Sequence, residues 1–223
     1  MSLPLQGQII FVTGASRGIG RACAIAFSQL GGHCILSGRT QSGLIETDDL
    51  IRAQGGQATL LPLDLGQHDQ IDNVGPSIAQ RFGRLDMWIH AAFHPTPLMP
   101  LVQLPDAAWE KNIAVNLTGC WHLIRTLSPL LNQAPQGHAI FLQNMASTEA
   151  FWGPIAAIQA ALQNLIECWK KEISHLSPLQ IHSFKPVPTA TRLRSQFFPA
   201  EKKEALALPE TIAQQIVSLI IPS

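Results

Sequence analysis

The chain has 223 residues, with 15 Lys and Arg against 15 Asp and Glu, 46% hydrophobic residues and only 13% charged ones. That length suits one domain with a well-covered core, and the charge balance supplies no basic face for nucleic acid. Tyr is absent, which excludes any mechanism that requires a tyrosine.

The N-terminal stretch MSLPLQGQIIFVTG has no basic residue before its apolar run, so it does not read as a secretory signal. No apolar run approaches the roughly 18 residues of a membrane-spanning helix. Four cysteines, Cys23, Cys34, Cys120 and Cys168, are scattered without metal-ligand spacing. They read as reduced thiols in a cytoplasmic protein, and no metal site is expected.

Short apolar runs then alternate with longer amphipathic ones. QIIFVT, HCILSG, ATLLPL, LDMWIH, HAIFLQ and LQIHSF are short, nearly continuous in apolar character and bounded by Gly, Pro or Asp. They predict six buried parallel strands. Helices are predicted between and after them at 18–31, 43–55, 68–83, 106–132, 154–176 and 209–220. This alternation predicts an α/β fold, a single Rossmann-type doubly wound parallel sheet with helices on both faces, occupying 1–223 without a linker. The segments 92–105 and 186–208 are rich in Pro and predict long irregular loops. Loops at the carboxyl ends of the strands form the ligand crevice of such a sheet.

The stretch VTGASRGIG, Val12 to Gly20, lies between the first strand and the first helix. Gly14 allows a tight turn, Gly18 lets backbone approach a pyrophosphate, and Gly20 allows close packing of helix on strand. Ser16, Arg17 and Ile19 complete the turn. The helix start offers free N–H groups and a positive dipole end to an anion. The second strand ends in ILSGRT, with Gly38 and Arg39 where a carboxylate would favour NAD. Arg39, Arg17 and Ser16 favour a 2′-phosphate, and hence NADP(H) over NAD(H).

TGASRGIG, Trp109 with Asn116-Leu117, and IAAIQAAL together resemble the short-chain dehydrogenase/reductase family over nearly the whole chain. The C-terminal PTATRLRSQFFPAEKKEALALPETIA is similar to a YciK-like bacterial subgroup of it. The resemblance implies that Asp64 contacts the adenine, with Leu65 beside it, and that His90, Ala91, Ala92 and Phe93 line the cofactor cleft. It also implies that Asn116 holds a water in a proton relay, and that Thr189 and Thr191 stand near the nicotinamide carboxamide. Three family catalytic positions are substituted: Asn144 replaces serine, Ile155 tyrosine and Gln159 lysine. The loop before Ile155 is about two residues shorter than usual, which leaves Ser147 as the other candidate for the serine position. Val187 replaces a glycine, and the family's final strand is missing. A homo-oligomer, dimer or tetramer, is also implied.

The chemistry of these substitutions points one way. A phenol near pKa ~10 needs a neighbouring cation to act near neutrality, but Ile155 has no proton and Gln159 no charge. Ile155 and Gln159 also read simply as packing positions of a helix that Pro154 opens. The expectation is a catalytically impaired homologue that keeps dinucleotide binding. The alternatives are an active NADP-dependent carbonyl or alcohol oxidoreductase with a non-standard proton donor, drawn from His90, His94 or Glu149, and a structural partner subunit of an active paralogue.

Overall fold

The computed structural model describes residues 3–143 and 148–221. Among these residues, six parallel strands form one sheet in the order β3-β2-β1-β4-β5-β6. The strands are β1 (Ile9–Thr13), β2 (His33–Gly38), β3 (Ala58–Pro62), β4 (Met87–His90), β5 (His138–Leu142) and β6 (Gln180–Phe184). All six lie where the apolar runs predict them. The order reverses between β1 and β4, which places a crevice at their carboxyl ends.

β1 is buried at every position because both faces of the sheet are covered. Ile9 and Phe11 face one apolar layer with Trp88, Leu123, Leu127 and Trp169. Ile10 and Val12 face the other, with Phe27, Leu44, Met87 and Ile216. Period-two alternation thus feeds two cores from one continuous apolar run. The outer strands depart from expectation. β3 is half-buried and β6 mostly so or exposed, because each is an edge with one neighbour.

The helices are α1 (Gly18–Gln29), α2 (Gln41–Arg52), α3 (His68–Asp72), α4 (Val74–Phe82), α5 (Asp106–Asn112), α6 (Gly119–Gln133), α7 (Gly153–Ile173), α8 (Arg192–Phe197) and α9 (Pro209–Ile220). Two predicted helices are divided. The 68–83 stretch breaks at Asn73. The 106–132 stretch is interrupted by a wide π turn, Ile113–Thr118, between α5 and α6. Such turns interrupt a helix locally and often mark functional positions. The proline-rich segment 186–208 contains α8, which its composition does not announce. After β6, the β pairing among the described residues is an isolated parallel bridge between Thr189 and Ala207. No described helix is long and apolar enough to cross a membrane.

The first turn of α1 is a tight crossing against β1 and the loop after β4. Gly14 takes a left-handed φ of +73°, and a Cβ there would stand 2.8 Å from the Ala91 backbone. A Cβ on Gly20 would stand 2.3 Å from the Gly14 carbonyl oxygen. Neither obstacle is a movable side-chain tip, so Gly20→Ala forces the strand-to-helix turn apart. A destabilisation of about 1–3 kcal/mol is expected from overpacking, read as a lower urea midpoint.

Candidate functional site

A cleft of about 490 Å³ opens at the carboxyl ends of the strands. Its floor is the glycine turn, where Gly14, Ser16, Arg17, Gly18, Ile19 and Gly20 all line the cavity. Gly18 has a φ of +56°, and Thr191 lies against it, its Cγ2 3.4 Å from where a Cβ would be. Thr191 also caps α8 by accepting a hydrogen bond from Arg194 N at 3.2 Å. The loop after β6 is therefore seated on the glycine turn through a residue that both surfaces share. The hydroxyl of Thr189 donates to the Val187 carbonyl at 2.6 Å and holds the bend of that loop.

At the β2 end, Ser37, Gly38, Arg39 and Thr40 line the same cleft. Arg17 Nη2 donates to Thr40 Oγ1 at 3.3 Å, so the glycine turn and the β2 loop meet. Leu63 and Leu65 line the cleft, but Asp64 between them does not. Its Oδ1 accepts from Gly66 N at 3.0 Å and shapes its own loop.

The β4 loop, Ala91 to Pro95, forms one wall. Its conformation is set by Asn116 from the π turn. Asn116 Oδ1 accepts from His94 N at 2.7 Å, and its Nδ2 donates to His94 O at 2.9 Å and to Asn112 Oδ1 at 2.7 Å. Asn112 Nδ2 in turn donates to Pro154 O at 3.0 Å. Two amides, buried almost completely, thus tie the cleft wall to the start of α7. Asn112 went unnoticed in the sequence, although its four-residue spacing from Asn116 puts both on one helical face.

The remaining sequence candidates divide. Ile155 is 1% exposed and lines no cleft. Gln159 lies apart from the main cavity, in a void of about 20 Å³ shared with His90, Gln143 and Leu162. Asn144 and Ser147 lie outside the described residues. Glu149 is exposed.

His90 is corrected as a proton-donor candidate. It is buried, its Nδ1 is 2.9 Å from Thr13 Oγ1, and burial pushes its pKa down to about 4. His94 does line the cleft. Its pKa is lowered by burial and by the charges of Arg39 and Lys111, against the opposing charge of Asp64. Its Nδ1 has no hydrogen-bond partner among the described residues.

Buried histidines have a consequence for stability. His138 at the start of β5 is also driven down to about 4, by burial and then by His182 beside it. An unfolded histidine titrates near 6.5. Between roughly pH 6.5 and 4 the unfolded chain binds protons that the folded chain refuses, so stability rises with pH across that window and is lost as pH falls through it. The urea midpoint is expected to drop between pH 7.5 and pH 5, and His90→Asn to remove part of that drop.

Comparison with known proteins agrees with this architecture. The short chain dehydrogenase family profile matches residues 8–202. The oxidoreductase YciK of Escherichia coli K12, of uncharacterised activity, is 28% identical over 213 residues, covering 93% of this chain and 84% of its own. A short chain dehydrogenase structure from Salmonella enterica serovar Typhi superposes with a TM-score of 0.92 at 28% identity, over 100% of this chain and 93% of that one. A metagenomic short-chain oxidoreductase solved in complex with NADP superposes with a TM-score of 0.85 at 27% identity, over 98% and 92%. With the glycine turn, the six-strand order and the match over most of its length, this chain belongs to the short chain dehydrogenase family.

Proposed function

We propose that the cleft binds NADP(H) and that the protein acts as a dinucleotide-binding member of its family without the family's proton relay. The observation that carries the binding half is the glycine cradle beneath two arginines. A Cβ would fill the space at Gly14 and Gly20. The N-terminus of α1 presents N–H groups to an anion there. Arg17 and Arg39 stand at the edge where a 2′-phosphate would lie, and no carboxylate lines that edge among the described residues. The relative solved with NADP supports the same cofactor class.

A bound NADPH would supply a hydride, and the chain would have to supply the matching proton. Ile155 has none to give. Gln159 lacks the charge that would lower a neighbouring pKa, and it sits in its own small void. An amide at Asn144 could donate a hydrogen bond to a substrate oxygen but does not exchange protons usefully near neutrality. The proposal is therefore binding without ordinary turnover, as a sensor or as the partner of an active subunit.

A second reading, an active oxidoreductase, has one observation in its favour. His94 lines the cleft with an unpartnered ring nitrogen, and a histidine there could pass a proton. Substitution of His94 by Gln would abolish any such activity and leave NADPH binding in place.

Calorimetric titration tests the binding half. NADPH and 2′,5′-ADP are expected to bind with NADH much weaker. Arg39→Met is expected to weaken NADPH at least tenfold, the scale of one charge-assisted hydrogen bond of about 1.5–3 kcal/mol. If NADPH and NADH bind equally, the 2′-phosphate reading fails.

The catalytic half is tested by NADPH oxidation with a panel of carbonyl compounds. The wild-type chain is expected to show no turnover, and the combined Asn144→Ser, Ile155→Tyr and Gln159→Lys variant to gain some. A folded, NADPH-binding triple variant that reduces nothing would show that the three losses do not explain the inactivity. Wild-type turnover would replace the first reading with the second.

A further inference from the structure

The chain is electrically neutral overall, yet its cleft is not. Arg17, Arg39, Lys185, Arg192 and Arg194 line it, and among the described residues no Asp or Glu does. Each cation can be assigned in turn, on the dinucleotide reading above. Arg17 and Arg39 sit together at the β2 end and match a 2′-phosphate. Arg192 directly follows Thr191, which packs on the Gly18 turn, so it stands over the place where a diphosphate would rest. Arg194 is already neutralised: Nε and Nη2 donate to the two Glu201 oxygens at 2.5 and 2.6 Å, and the guanidinium lies 4.6 Å over the Phe198 ring. Lys185 is left over. No ion pair joins it to any described residue.

Its position is distinctive. Lys185 directly follows β6, where Leu142 pairs with Phe184 and Gln143 N donates to Phe184 O at 2.8 Å. It therefore stands beyond the carboxyl end of the sheet, next to Gln143. The strand order puts β6 four places from β2. At roughly 4.8 Å per strand that is about 19 Å, too far for Lys185 and Arg39 to hold one phosphate. Around Lys185 the lining is Leu142, Gln143, Pro186, Val187 and Pro188. Leu142, Gln143 and Pro186 are half-buried, while Lys185, Val187 and Pro188 are exposed, so the ammonium stands at the open, solvent-reached rim of the cleft. A lysine ammonium on a flexible stem suits a single carboxylate or phosphate better than a fixed fork does.

We propose that the β6 end of the cleft is a site for a small anionic ligand, a carboxylate or a phosphate ester, held by Lys185 while the dinucleotide occupies the rest. The inference rests on the NADP(H) reading for its assignment of the other cations.

The test uses the NADPH-saturated protein at constant ionic strength, titrated with pyruvate, inorganic phosphate and, as the uncharged comparator, acetone, with thermal shift as the readout. Pyruvate or phosphate is expected to raise the melting temperature and acetone not to. The anion's dissociation constant is expected to weaken at least tenfold in Lys185→Met and to be unchanged in Lys171→Met, a charge-matched control on α7. Preference for pyruvate identifies a carboxylate ligand, and preference for phosphate a phosphate ester. Anion binding that is absent, or equal in Lys185→Met, overturns the proposal. So does a tenfold loss of NADPH affinity in that variant, which would assign Lys185 to the dinucleotide. If NADPH fails to bind the wild-type chain but anions still bind through Lys185, the dinucleotide reading falls and the anion site stands.

Discussion

Everything at the cleft depends on three backbone segments meeting without side chains between them. The end of β1, the first turn of α1 and the start of the β4 loop approach so closely that a single methyl on Gly14 or Gly20 would strike main-chain atoms. That contact fixes where the N-terminus of α1 points. It also brings Ala91 and Ala92 against the glycine turn, which sets the near wall of the cleft. A protein interior this dense passes a small local change to its neighbours instead of absorbing it.

From that crossing outward, the cleft is held by polar clamps and not by apolar packing alone. Asn116 grips both backbone groups of His94, Asn112 grips Asn116, and Pro154 at the head of α7 closes the chain of hydrogen bonds. Asn116 lies in the π turn and Asn112 ends α5, and their four-residue spacing puts both amides on one helical face. On the far side, α8 is fastened by Trp152 against Phe197 and Phe198, with centroids 5.2 and 5.8 Å apart, and by Arg194 closed on Glu201. The two walls thus use different forces. One is a buried amide relay and the other an aromatic and ionic clasp nearer solvent.

The electrostatics of the cleft follow from where the loops put their charges. A neutral chain yields a cationic crevice because arginines and a lysine fall at the carboxyl ends of β2 and β6 and in the loop beyond, while the acidic residues lie elsewhere. Asp64 shows how narrow the margin is. It sits between two lining residues, yet its carboxylate caps its own loop through Gly66 N. His94 feels both signs, lowered by Arg39 and Lys111 and opposed by Asp64.

Apolar runs bounded by Gly, Pro and Asp located all six strands, and the glycine spacing located the tight turn that floors the cleft, because both are local properties of chain geometry. The sequence alone also showed that no tyrosine exists and that Ile155 and Gln159 stand in the α7 stretch. It misjudged the edges, since the burial of β3 and β6 depends on having a second neighbour, which no local pattern encodes. It could not separate His90 from His94, four residues apart. Only the tertiary structure buries His90 against Thr13 and leaves His94 in the cleft. The same holds for Lys185, an ordinary lysine between β6 and a proline-rich stretch until the sheet brings it to the open end of the cavity. Periodicity and turn chemistry act over a few residues and are legible in order along the chain. Desolvation and charge proximity act between segments far apart in sequence, and only the folded sheet decides which of them meet.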